Sequence, residues 1–105
     1  MKYEVIWSDF AERQLDEIFE YYAEKANLGV AKILLQRLIA EPNKIDSIPE
    51  MLQREDLLID RKETYRYIVY KNFKIIYSVD FKLKQIKIAD VFDTRQNPTK
   101  IKRMK

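Results

Sequence analysis

The sequence predicts an α+β fold in which an N-terminal helical hairpin packs on a twisted, mainly antiparallel sheet, in the order β-α-α-β-β-β. Three observations carry this expectation. Apolar residues recur at three- and four-residue spacing through residues 9–41 and then at two-residue spacing through residues 64–92. Gly29 is the only glycine and Pro42, Pro49 and Pro98 are the only prolines, so most of the chain should be regular structure. Two short junctions, Lys71-Asn72 and Lys82-Leu83-Lys84, divide the second half at hairpin spacing.

Residues 2–7 alternate, with Tyr3, Val5 and Trp7 against Lys2, Glu4 and Ile6, which reads as a strand. Ser8 follows as a helix N-cap, and Asp9 opposes the helix dipole in the first turn. A helix is expected over Asp9 to Lys25, with Ala11, Leu15, Ile18, Phe19 and Tyr22 as its apolar stripe. Its opposite face carries Glu12, Arg13, Asp16, Glu17, Glu20 and Glu24. Asn27-Leu28-Gly29 breaks it, with Asn27 or Gly29 suited to a positive φ. A second helix is expected over Val30 to Glu41, its period set by Val30, Ile33, Leu34, Arg37 and Leu38 and its end by Pro42. The short connection makes the pair an antiparallel hairpin. Ile45 to Ile48 reads as a helical turn or a loop.

In the second half, Leu57 to Asp60 reads as a short strand, followed by strands over Thr64 to Tyr70, Phe73 to Asp80 and Gln85 to Phe92. Lys71-Asn72 is a two-residue hairpin junction in which Asn72 tolerates positive φ. Phe73, Ile75, Tyr77 and Val79 share one face. Ile86, Ile88 and Asp90 are expected opposite Lys87, Ala89 and Val91. The tail from Asp93 to Lys105 is basic and reads as irregular, with a helical turn after Pro98.

A chain of 105 residues fits one domain, taken as 1–105. There is no cysteine, which excludes a disulfide framework, a thiol nucleophile and cysteine-ligated zinc. There is no histidine, which removes the commonest general base and metal ligand. No metal and no cofactor are expected. No apolar stretch approaches the roughly 20 residues that span a bilayer, so the expected location is the cytoplasm. Residues 1–50 hold 6 Lys/Arg against 10 Asp/Glu, whereas residues 51–105 hold 14 against 7. That asymmetry suits a polyanionic target or an acidic partner; it also suits a merely solvated basic surface.

The ordered set of elements resembles the RelE/ParE toxin superfamily. Tyr3-Glu4-Val5-Ile6-Trp7-Ser8 looks like its first strand and helix cap, and Ala11, Leu15, Ile18 and Tyr21-Tyr22 sit as in its long first helix. Tyr65-Arg66-Tyr67-Ile68-Val69-Tyr70 and Asn72-Phe73-Lys74-Ile75-Ile76-Tyr77-Ser78-Val79-Asp80 look like its central hairpin. Ile88-Ala89-Asp90-Val91-Phe92-Asp93 and Thr94-Arg95-Gln96-Asn97-Pro98 look like its last strand and tail. The resemblance implies the toxic half of a type II toxin–antitoxin pair, neutralised by a cognate antitoxin that wraps it.

Below that level the resemblance forks. RelE-like members cut messenger RNA in the ribosomal A site, whereas ParE-like members inhibit DNA gyrase and lack the ribonuclease residues. Metal-free RNA cleavage needs a base, stabilisation of a dianionic phosphorane and an acid for the leaving oxygen. On the RelE-like reading Arg66, Lys74 and Arg95 would be the catalytic residues. No tyrosine follows Arg95 and no histidine exists, so the usual acid–base group is missing from its place. Lys74 offers a point charge where arginine would offer a fork. Tyr65, Tyr67 and Tyr77 could stack on bases or simply pack across the sheet. Arg66 could pair with Asp60 or Glu63, Arg95 could anchor the tail through Asp93 or Asp90, and Glu50 reads as a solvated loop residue. The long amphipathic hairpin and the Arg95-Gln96-Asn97-Pro98 ending favour the ParE side. The alternatives are the RelE-like nuclease and an inactive, antitoxin-binding family member. A homodimer is compatible with the amphipathic hairpin.

Overall fold

A computed structural model of the chain describes residues 3–45 and 65–95. The elements are β1 (Glu4–Trp7), α1 (Asp9–Lys25), α2 (Leu28–Ala40), a 3-10 turn (Glu41–Ile45), β2 (Arg66–Tyr70), β3 (Phe73–Asp80) and β4 (Gln85–Asp93). The expected strand at 57–60, Glu50 and the tail beyond Arg95 lie outside the described residues.

The strands form one sheet in the order β1-β4-β3-β2. The β2–β3 and β3–β4 pairs are antiparallel hairpins. β1 pairs with β4 in parallel, from Glu4 opposite Gln85 to Trp7 opposite Ile88. Parallel partners need a long crossover, and the intervening helices supply it. The helices cover one face, where Ala11, Leu15 and Leu38 meet Phe73, Ile75, Tyr77, Ile86, Ile88 and Val91. Tyr3, Val5 and Trp7 pack against the same cluster, as their alternation predicts. On the other face Ile76 and Phe92 are buried with Phe10, Tyr65, Tyr67 and Ala89 around them.

The start of α1 is set by Ser8, whose Oγ accepts the Ala11 N–H at 3.0 Å and whose backbone N–H donates to Ile88 O at 3.0 Å. The cap therefore also ties the helix to β4. The junction between the helices differs from expectation. No residue there takes a positive φ. Asn27 is extended, at φ −165°, and its Oδ1 accepts the Val30 N–H at 2.9 Å, making it the N-cap of α2. The second helix thus begins at Leu28, two residues early, with Gly29 inside its first turn. A side-chain cap satisfies the first-turn donors and lets the helix restart at once.

The buried stripe of α2 is also rotated from the expected one. Ala31 and Leu38 are buried, with Leu34 and Leu35 partly so, while Val30 and Ile33 are exposed. Arg37 is exposed as well. The helix is apolar on nearly every side, so periodicity could not select one face. At the β2–β3 turn Lys71, not Asn72, takes the positive φ, at 54°.

β4 carries a register shift. Ile76 opposes Asp90 and Tyr77 opposes Ile88, which leaves Ala89 as the extra residue of a bulge. A bulge exchanges the faces beyond it. Ile86 and Ile88 face the helices, but past Ala89 it is Val91 that does so. Asp90, fully buried, lies across from Ile76 on the other face, contrary to the simple alternation.

Candidate functional site

β4 ends at Asp93, directly opposite Phe73. The chain is clamped there, because the Thr94 N–H and Oγ1 both donate to Asn72 O, at 2.7 and 2.9 Å. This turn brings Arg95 back over Asp93. The Arg95 N–H donates to Asp93 Oδ1 at 2.9 Å, Nε to the same oxygen at 3.0 Å, and Nη2 to Oδ2 at 2.7 Å. Nη2 also donates to the Tyr22 hydroxyl at 3.1 Å. Two charge-assisted bonds to one carboxylate fix the guanidinium plane.

The electrostatics follow from these contacts. The hydrogen bond from Arg95 lowers the Asp93 pKa from 3.8 to about 2; burial opposes the shift, and the Arg95 backbone N–H and charge, with the Asn72 amide, add to it. The same carboxylate raises Arg95 further above its ordinary value, with the Tyr22 hydroxyl contributing. The Asp93 side chain is 15% exposed and that of Arg95 65%.

Beside this pair a cavity of about 500 Å³ opens between α1 and the ends of β3 and β4. Ile18, Phe73 and Val91 form its apolar part, Tyr21 and Tyr22 its aromatic wall, and Gln14, Glu17, Asp93 and Arg95 its polar side. Tyr22 meets both Tyr21 and Phe73 edge-on, with ring centroids 5.1 and 6.2 Å apart. Tyr22 belongs to the buried helix stripe by spacing, yet its hydroxyl reaches the rim. By spacing alone it reads as core. The signal available was its type, because a packed tyrosine still needs a partner for its polar tip.

The three cations singled out from sequence are not brought together. Arg66 pairs across the sheet with Tyr77, on the face that meets the helices. Lys74 pairs with Val69 on one side and Phe92 on the other, so it lies on the opposite face. Its ammonium stands 4.2 Å above the ring of Tyr67. Arg95 is committed to Asp93, as one of its sequence readings holds. Tyr77 is fully buried in the helix-side cluster, whereas Tyr65 and Tyr67 pack around Ile76 and Phe92. Among the described residues no three His, Cys, Asp or Glu side chains are grouped to hold a metal ion. The arrangement suits recognition: an aromatic cavity with a fixed guanidinium at its edge.

Fold and site together define a small α+β protein with a helical hairpin packed on one face of a mixed four-stranded sheet. Residues 5–98 match the family described as "ParE toxin of type II toxin-antitoxin system, parDE". The chain belongs to this ParE toxin family. Among solved structures, one titled "Chromosomal ParDE TA system from P. aeruginosa" is similar, with a TM-score of 0.71 and 16% identity over 88% of this chain and 96% of that one. At that identity the likeness bears on the fold. No curated protein matches. No helix among the described residues is long and apolar enough to cross a membrane.

Proposed function

We propose that this ParE-type toxin arrests growth in the cytoplasm by binding DNA gyrase, with no chemistry of its own, and that a cognate antitoxin neutralises it. The observation that carries the reading is the separation of the cations. A ribonuclease of the RelE kind needs its base, phosphate clamp and acid around one phosphate, whereas Arg66 and Lys74 stand on opposite faces of the sheet. Arg95 already spends two donors on Asp93. Family membership supports the same direction. The antitoxin is expected to cover the exposed aliphatics of α2, Leu28, Val30, Ile33 and Ile39, which a lone toxin leaves in water.

The test is a supercoiling assay with purified gyrase, beside mapping of messenger RNA 5′ ends in arrested cells. Loss of supercoiling with intact messages is the expected result. Codon-phased cuts with unaffected gyrase would replace the proposal with the nuclease reading. That second reading has one feature in its favour: Lys74 held over Tyr67 places a cation beside a phenol on one face.

A further inference from the structure

The turn joining β3 to β4 reads Phe81-Lys82-Leu83-Lys84. Turns of this length usually carry Gly, Asn, Asp or Ser, because those residues adopt the required backbone or bond to it. Here the turn shows two large apolar side chains to water, Phe81 54% exposed and Leu83 63% exposed. Neither belongs to a core cluster among the described residues.

The turn is also fixed in place. Asp80 Oδ1 accepts the Leu83 N–H at 2.9 Å, and Lys84 O accepts the Glu4 N–H from β1 at 2.9 Å. Lys84 sits at φ 57°, a region that glycine or asparagine occupies more readily. Tyr3 meets the Phe81 ring edge-on at 6.4 Å. Two hydrogen bonds and one ring contact thus hold a four-residue turn, so presenting Phe81 and Leu83 carries little ordering cost on binding. Lys82 stands between them in the chain.

We propose that this tip is a target-docking element, inserting Phe81 and Leu83 into an apolar depression rimmed by carboxylates on a protein partner. It lies at the other end of β4 from the Arg95 cavity, roughly 25–30 Å away at the rise of an extended strand. Two surfaces that far apart can serve two partners at once. A protein fits better than a nucleic acid, because leucine has no face on which a base stacks. The identity of the target rests on the gyrase reading given above.

The experiment uses the full chain with Phe81→Ser and Leu83→Ser together, and separately Lys82→Glu. Both should keep the wild-type thermal midpoint and antitoxin affinity. The double variant should inhibit gyrase supercoiling at least tenfold less well, and Lys82→Glu should lose part of the inhibition and most of its salt dependence. Undiminished inhibition by the double variant overturns the proposal, as does an antitoxin affinity that falls in step. Capture on anionic lipid vesicles that the double substitution abolishes, with inhibition intact, makes the tip a membrane element and also overturns it. If the wild-type chain leaves gyrase untouched, the gyrase reading fails and growth arrest becomes the readout for the tip. Arrest lost by the folded double variant then supports target docking, and arrest retained refutes it.

Discussion

Asp93 and Arg95 show how two residues at a strand end make a rigid feature out of exposed chain. The Thr94 clamp on Asn72 O forces the reversal, and the carboxylate then holds the guanidinium in one plane. Arg95 stays charged at every pH of interest, so the pair titrates through Asp93. Its folded pKa, about 2, lies below the ordinary 3.8. The stabilisation is therefore complete above the unfolded value and is lost as pH falls through the folded one. Urea midpoints of the wild type and Asp93→Asn should differ most above pH 4 and converge by about pH 2; a constant gap would show that the ion pair contributes nothing through this carboxylate. Ser8 makes a second residue-scale case. Ser8→Ala removes the oxygen that accepts the Ala11 N–H and should lower stability by about 1 kcal/mol in urea titration.

At the scale of elements, α2 and β4 show where periodicity stops discriminating. α2 offers apolar residues around most of its circumference, and packing on α1 and the sheet selects Ala31, Leu34, Leu35 and Leu38. Leu38→Ala should cost about 2–5 kcal/mol, as cavity-forming core substitutions do. Ile33→Ser, at a 55% exposed position, should change the unfolding free energy by less than about 0.5 kcal/mol. Equal losses from the two would mean that Ile33 is buried in solution by a partner or a second copy. In β4 the alternation reads cleanly up to Ile88 and then inverts at Ala89. No residue type there announces a bulge, since neither glycine nor asparagine marks it. It is visible only in the pairing of β4 with β3.

At the scale of the molecule, the sheet decides what the basic residues can do together. Arg66 and Lys74 lie eight positions apart in sequence and three register positions apart on adjacent strands, with their side chains on opposite faces of the sheet. A double-mutant cycle on Arg66→Ala and Lys74→Ala should show a stability coupling below about 0.5 kcal/mol, as distant sites do. A larger coupling would mean that the two side chains share a partner. The same sheet sends the Arg95 cavity and the Phe81 turn to opposite ends of β4.

The order of elements, the Ser8 cap, the helix-facing set of β1 and β3, and the two hairpins were legible in the chain itself, because each rests on local chemistry: side-chain period, a capping oxygen, a short junction between two alternating runs. Family resemblance was legible in the same ordered set. Tertiary structure alone decided the parallel pairing of β1 with β4, the face of α2 that is buried, the bulge at Ala89 and the meeting of Tyr22 with Arg95. Each of these joins segments far apart in the chain, and which of several equally apolar surfaces is covered depends on what lies across from it. That dependence is written in no single segment.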